Sequence, residues 1–193
     1  MKRVCVFAGS SAGARPEYLA AAAGLGTLMA ARDIELVYGG ARVGLMGAIA
    51  DAVLAGDGSV IGVIPRALVE KEVAHDGLTD LRIVTSMHER KALMADLSDA
   101  FIALPGGWGT LDEMFEILTW AQLGLHRKPC GLLNVLGYFD RLLSFLDYTM
   151  EQGFVRREYS SLLAVSDGPA TLLDTLQSQT PPVVEKWIDL AST

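Results

Sequence analysis

The residues with the most chemical content lie in Leu104-Pro105-Gly106-Gly107-Trp108-Gly109-Thr110-Leu111-Asp112-Glu113, a short apolar strand that runs through a glycine-rich turn into a helical pattern. Glycines at 106, 107 and 109 let backbone N–H groups converge on one point, and Thr110 adds a hydroxyl at the helix start, a combination suited to cradling a phosphate. No lysine precedes the threonine, so the run is not a Walker P-loop, and nucleoside triphosphate hydrolysis is disfavoured. Glu113 has two readings. Thr110-x-x-Glu113 fits a capping box, in which the glutamate only returns a bond to the helix start. Turning the helix at roughly 100° per residue instead puts Leu111, Met114, Phe115 and Leu118 on one face and Glu113 nearly opposite, between Ile117 and Trp120. A carboxylate flanked by two large apolar side chains is not on an ordinary solvated face, and this second apolar surface suits a pocket wall, a subunit interface, or both.

Arg90 gives the sharpest inference from periodicity. In Ser86 to Leu97 the apolar residues Met87, Leu93, Met94 and Leu97 form a stripe, and Arg90 falls near its centre. An inward arginine must meet an acid, a phosphate or a carbonyl, because an unpaired buried charge costs several kcal/mol. A structural salt bridge would satisfy it as well as a ligand would. Lys91 lies at the edge of the stripe, where it either joins the site or extends to water. Two further glycine-rich runs, Gly9-Ser10-Ser11-Ala12-Gly13 and Gly39 to Gly47, would let a ligand approach the backbone, or serve only as tight turns. Neither reads G-x-G-x-x-G, and Asp33 precedes the second strand where a ribose-binding acid should follow it, so a dinucleotide enzyme is disfavoured.

Other chemistries find little support. His75, His88 and His126 are scattered, with no His or Cys pair at metal-ligand spacing, and no G-x-S-x-G elbow marks a serine hydrolase. The 193 residues carry 16 Lys+Arg against 23 Asp+Glu, a net charge of −7 with no basic run, which argues against nucleic acid or an anionic membrane surface as partner. With 51% apolar residues the chain is globular, and its length predicts a single domain able to bury about 70% of its unfolded surface. The longest uncharged stretch, Tyr18 to Ala31, falls short of the roughly 20 residues a bilayer span needs. Only Val4 to Ala8 follow the basic start before Gly9, too few for a secretory leader. Cys5 and Cys130 sit in short apolar runs and read as buried thiols of a reduced, cytoplasmic protein.

These side chains need a scaffold, and the pattern supplies one. Strands are expected at Arg3–Ala8, Ile34–Tyr38, Ser59–Ile64, Leu81–Val84, Ala100–Leu104, Cys130–Asn134 and Leu162–Val165. Helices are expected at Pro16–Ala31, Gly44–Ala55, Ser86–Leu97, Thr110–Leu123, Phe139–Gln152 and Pro169–Gln177. Alternating strands and helices, with strands apolar on both faces, predict an α/β fold: a Rossmann-like, doubly wound parallel sheet with helices on both faces. Ligands in such sheets sit beyond the carboxyl ends of the strands, here after Gly9, Gly39, Pro65 and Pro105. The longest irregular stretch, Pro65 to Asp80, carries Glu70, Lys71, Glu72, His75 and Asp76.

Met87-His88-Glu89-Arg90-Lys91 together with Pro105-Gly106-Gly107-Trp108-Gly109-Thr110-Leu111-Asp112-Glu113 resembles the paired R-K and P-G-G-x-G-T-x-x-E motifs of the LONELY GUY family, the cytokinin riboside 5′-monophosphate phosphoribohydrolases. The likeness extends over Gly9-Ser10-Ser11, Gly39 to Gly47, Gly62-Val63-Ile64-Pro65 and Thr119-Trp120-Ala121-Gln122-Leu123-Gly124. Ala41 stands where many relatives carry a third glycine. The resemblance implies a homodimer that hydrolyses the N-glycosidic bond of AMP-like nucleotides without a metal or redox cofactor. Members are often labelled lysine decarboxylases, a label that requires a Schiff-base lysine, and nothing in the sequence suggests one.

The resemblance also distributes roles. The segment Gly106, Gly107, Trp108, Gly109, Thr110, Leu111 and Asp112 would bind substrate, its N–H groups and the Thr110 hydroxyl holding the 5′-phosphate with Ser10 and Ser11. Glu113 would stabilise the cationic sugar, and Arg90 would pair with it or contact the nucleotide. Lys91 would stand beside Arg90. Glu72 and Thr119 match substrate-contacting positions by analogy alone, and Glu116 is either a supporting acid or solvent-facing. Two alternatives stay open: a general AMP nucleosidase, and a non-catalytic nucleotide or cofactor carrier of the same fold.

Overall fold

Strands apolar on both faces are satisfied only inside a sheet covered on both sides, and the computed structural model, which describes residues 1–69 and 74–179, has this arrangement. In chain order its elements are β1 (Arg3–Phe7), α1 (Pro16–Ala31), β2 (Glu35–Tyr38), α2 (Gly44–Ala55), β3 (Val60–Pro65), α3 (Arg66–Val69), β4 (Asp80–Val84), α4 (Met87–Leu97), β5 (Ala100–Ala103), α5 (Trp108–Gln122), β6 (Cys130–Leu133), α6 (Asp140–Glu151), β7 (Leu163–Ser166) and α7 (Pro169–Ser178). Seven strands pair in the order β4-β3-β2-β1-β5-β6-β7, every neighbour parallel. All of β3, β5 and β6 is buried, as is β1 from Val4 onward, while β4 and β7 at the edges are only partly so.

The helices divide between the faces as the doubly wound expectation requires. Leu25 and Met29 of α1, Ile49 and Val53 of α2, and Leu172 and Leu176 of α7 pack on Val4, Val6, Leu36 and Tyr38. On the opposite face Met94 of α4, Met114 and Ile117 of α5, and Leu142 and Leu143 of α6 meet Cys5, Phe7, Val37 and Phe101. Both cysteines are free and buried. Burial raises the Cys130 thiol to about 12. No helix among the described residues is long and apolar enough to cross a membrane.

Several boundaries differ from the expected ones. The stretch after Pro65 is not wholly irregular, since Arg66–Val69 forms a short helical turn and Ala74 bridges to Ala41. Leu162 ends a 3-10 turn rather than opening a strand. Most consequentially, α5 begins at Trp108, not Thr110, because Gly107 is the extended residue before the helix. Glu70, Lys71 and Glu72, and the C-terminal Pro181 to Thr193 segment with Trp187, lie outside the described residues.

The sheet winds outward from β1 in both directions, so the chain reverses between β1 and β5, and the loops leaving these strands emerge side by side. Phe7 O accepts from Leu104 N at 2.9 Å, and Gly9 N donates to Pro105 O at 3.1 Å. Gly44 brings in the loop after β2: its φ of +59° is left-handed, and a Cβ there would collide with the backbone of Ser10 and Ser11. Gly44→Ala is therefore expected to cost about 3 kcal/mol in urea unfolding, the sum of left-handed strain and an overlap with backbone that cannot rotate away.

Candidate active site at the sheet reversal

At the carboxyl ends of β1 and β5 the loops enclose a cleft of about 310 Å³, lined by Gly9 to Gly13, Tyr18, Leu45, Pro105 to Gly107 and Tyr138. Ser10 and Ser11 stand exposed on its wall, where Ser11 Oγ accepts from Gly13 N at 3.3 Å. Across from them α5 begins. Gly107 offers no side-chain cap, and the N–H groups of Gly107, Trp108, Gly109 and Thr110 have no backbone acceptor among the described residues. Four donors without a backbone acceptor at the positive end of a fifteen-residue helix are an arrangement that can receive an anion.

The same start removes the capping-box reading of Thr110 and Glu113. Thr110 is the third residue of α5 rather than its cap, and it is buried. A related cap occurs on α4, where Ser86 Oγ accepts from Glu89 N at 3.1 Å while Glu89 Oε2 reaches one residue past the cap to accept from Thr85 N at 2.7 Å. Glu113 lies one turn beyond Thr110, nearly buried, with Oε1 3.8 Å from Arg90 Nη2.

Arg90 is 6% exposed, as its place in the α4 pattern predicts. Its Nη2 also reaches the Gly39 carbonyl at 3.5 Å. The guanidinium fits there because residue 39 is a glycine: a Cβ would overlap Nη2. Arg90 Nε is buried with no hydrogen-bond partner among the described residues, and the Glu113 and Gly39 contacts are long for a charged donor. The arginine is thus neutralised while part of its hydrogen-bonding capacity stays unspent. Both charges lie over β1: burial first, then the charge of Glu113, raises the Cys5 thiol, and Arg90 works in the opposite direction.

Lys91 neither reaches water freely nor enters the cleft. Its Nζ lies 2.8 Å from Glu116 Oε2 and 3.2 Å from Asp112 Oδ2, so it clamps α4 to α5 on either side of Glu113. Glu116 is thereby a supporting acid, and Asp112, largely exposed, faces Lys91. Leu111 packs into the core beneath α5, while Trp108 at the cradle is 91% exposed. Thr119 is not brought to the cleft. Its hydroxyl donates to Phe115 O at 2.7 Å, and it lines an apolar groove of about 300 Å³ with Phe115, Leu118, Leu146, Met150 and Val165. Ile117 belongs to the core and Trp120 is partly buried against it, so of the outer apolar face suggested around Glu113 neither flanking residue is freely exposed. Met87 also departs from its expected stripe: it stands exposed at the start of α4.

Histidine chemistry stays peripheral. His75 pairs with Asp51 at 2.8 Å and His126 with the Ile117 carbonyl at 3.0 Å. Among the described residues no group of three His, Cys, Asp or Glu side chains could hold a metal. Two aromatic cleft residues, Tyr18 and Tyr138, carry no local sequence signal of a site. Tyr138, in the loop after β6, donates its hydroxyl to the Gly106 carbonyl at 2.6 Å.

Comparison with known proteins places this site in context. A family model described as "possible lysine decarboxylase" matches residues 46–176. A cytokinin riboside 5′-monophosphate phosphoribohydrolase of Arabidopsis thaliana is 49% identical over 180 residues, covering 93% of this chain and 84% of that protein. A protein of Oryza sativa subsp. japonica, named a probable enzyme of the same activity, is 51% identical over 180 residues, covering 93% of this chain and 79% of its own. Among solved structures, the molybdenum cofactor binding protein of Rippkaea orientalis has a TM-score of 0.68 at 24% identity, covering 92% of this chain and 97% of that one, a likeness of fold.

The Lys91 clamp has a definite pH dependence. Its ion pair with Glu116, foremost, raises the Lys91 pKa above the ordinary 10.5, so the clamp stabilises the folded state fully below that value and is lost as pH rises through the higher folded one. Lys91→Gln is expected to lower stability by about 1 kcal/mol near pH 8. In thermal melts the gap from the parent should close at strongly alkaline pH; a gap independent of pH would show that lost packing causes it.

Proposed function

Because the chain belongs to the LONELY GUY family of cytokinin riboside 5′-monophosphate phosphoribohydrolases, an N-glycosyl hydrolase family, we propose that it hydrolyses the N-glycosidic bond of N6-substituted AMP, and of AMP itself, to free base and ribose 5-phosphate. The observation that carries this reading is the arrangement on α5: four unspent N–H donors from Gly107 to Thr110, and one turn later a nearly buried carboxylate beside a buried arginine.

In this reading the cradle, with Ser10 and Ser11 on the opposite wall, binds the 5′-phosphate and so fixes the ribose. The bond between C1′ and the base nitrogen breaks with its electron pair leaving on the base, and positive charge builds on the sugar. Glu113 stabilises that charge and orients the attacking water. The water oxygen bonds to C1′, and a water proton ends on the released base. Arg90 holds Glu113 in place and spends its remaining donors on the nucleotide. Lys91, kept protonated by Glu116, is a brace rather than the neutral amine that a Schiff base would need.

An apolar pocket that takes a prenyl group favours it but does not sterically exclude hydrogen in its place, so AMP is proposed as a slower substrate of the same site. We further propose a cytoplasmic homodimer. The apolar groove along α5 and α6, with Phe145, Tyr148 and Phe154 exposed nearby, supplies the surface. Sedimentation at micromolar concentration is expected to show the dimer, and a monomer would overturn it.

The reaction is tested by chromatography of the pure protein with N6-isopentenyl-AMP and, in parallel, AMP. Free base is expected from the prenylated nucleotide, and the ratio of the two rates separates a cytokinin-directed enzyme from a general AMP nucleosidase. Glu113→Gln and Arg90→Ala should each lower kcat by at least about a hundredfold, with folded circular dichroism spectra. Undiminished turnover in either would remove its assigned role. Binding without base release by the parent would leave the carrier reading in possession.

A further inference from the structure

The peptide between Gly106 and Gly107 is flanked on both sides by residues without a Cβ, so little in its own chemistry keeps it from flipping. Its orientation matters. In a trans peptide the C=O and N–H point in opposite directions, so a flip would withdraw the Gly107 N–H and turn a carbonyl oxygen towards whatever anion the cradle holds. Among the described residues one group donates to the Gly106 carbonyl, and it is the Tyr138 hydroxyl, at 2.6 Å.

The loop after β6 is built to deliver that hydroxyl. Leu136 is left-handed at φ 55° and ψ 29°, and Gly137 follows at φ 71°. Leucine occupies this region only at a cost, and such strain persists where the surroundings hold it in place. Here the hold is visible. Asn134 Nδ2 donates to Asp140 Oδ1 at 2.7 Å, and Asn134 Oδ1 accepts from Phe139 N at 2.8 Å. The Tyr138 ring stands edge-on to the buried Phe139 at 4.9 Å and to Tyr18 at 5.8 Å. Tyr18 in turn lies against Gly13, the end of the Ser10–Ser11 loop.

We propose that Tyr138 is a positioning residue for the phosphate cradle: its hydroxyl locks the Gly106–Gly107 peptide with the carbonyl turned away and the Gly107 N–H presented to the 5′-phosphate. This rests on the phosphoribohydrolase reading for the identity of the anion, but the lock itself concerns only how the cleft receives a phosphate monoester.

Tyr138→Phe keeps the ring and its aromatic contacts and removes only the hydroxyl. Ribose 5-phosphate binding, measured by calorimetry on the full chain, is expected to weaken about tenfold. KM for the nucleotide should rise similarly, with kcat nearly unchanged. Adenosine, which lacks the phosphate, should bind parent and variant alike, an outcome that general loosening of the loop would not give. Unchanged ribose 5-phosphate affinity, or an equal loss for adenosine, would overturn the proposal. The two readings fail separately. A parent that releases base beside a variant of unaltered phosphate affinity removes the lock and keeps the hydrolase. A parent that releases none, yet binds ribose 5-phosphate more tightly than Tyr138→Phe does, removes the hydrolase and keeps the lock.

Discussion

A guanidinium buried between a sheet and its covering helices has to be neutralised, and much of this site follows from how Arg90 is accommodated. A missing side chain at Gly39 gives it room, the carbonyl there gives it an acceptor, and Glu113 gives it a countercharge. Glu113 can do so only if α4 and α5 keep their relative position, which the Lys91 pairs with Asp112 and Glu116 secure. Removing Glu113 takes the carboxylate countercharge from the buried Arg90, at a cost of several kcal/mol. One set of contacts thus serves both ends at these two residues: the contacts that make the pair tolerable also point it.

One helix sets the scale of the site. The donors at the start of α5 and the carboxylate at Glu113 belong to the same rigid rod, where three residues advance about 4.5 Å. The spacing between an anion on the cradle and an acid beside the sugar is thus fixed by helical geometry, independent of loop conformation. What the loops contribute is closure: the β1 and β6 loops meet Pro105 and Gly106 through backbone and the Tyr138 hydroxyl, and the β2 loop packs on the β1 loop at Gly9 to Ser11.

The sheet and its helices were legible because their patterns are local. Runs such as Val4 to Phe7 and Phe101 to Ala103 are apolar on both faces, and Arg90 interrupts a stripe that can be counted by hand. The start of α5 was not legible, since Trp108 and Gly109 are weak helix formers and only the extended Gly107 shows where the helix begins. That one shift turned Thr110 from a cap into a buried residue of the first turn. Periodicity puts Ile117 on an outer face because a single helix viewed alone does not reveal how much of its circumference the sheet covers. Lys91 and Tyr138 depend on partners 21 and 32 residues away, or more. No local period encodes a contact of that kind.

The central pairing of β1 with β5 joins stretches far apart in the chain. Asp99 accepts from Lys2 N across 97 positions and from Arg3 N across 96. Such closures come late in folding, because a long loop loses its entropy before the contact repays it. During synthesis the first half of the sheet, β1 to β4 with α1 and α2, can assemble while the neighbouring position beside β1 is still empty. Cradle and acid both arrive on the segment that fills it. The ability to bind a phosphate monoester therefore reports completion of the sheet: a chain stalled before β5 has most of its core and Arg90, but neither the cradle nor the Glu113 carboxylate.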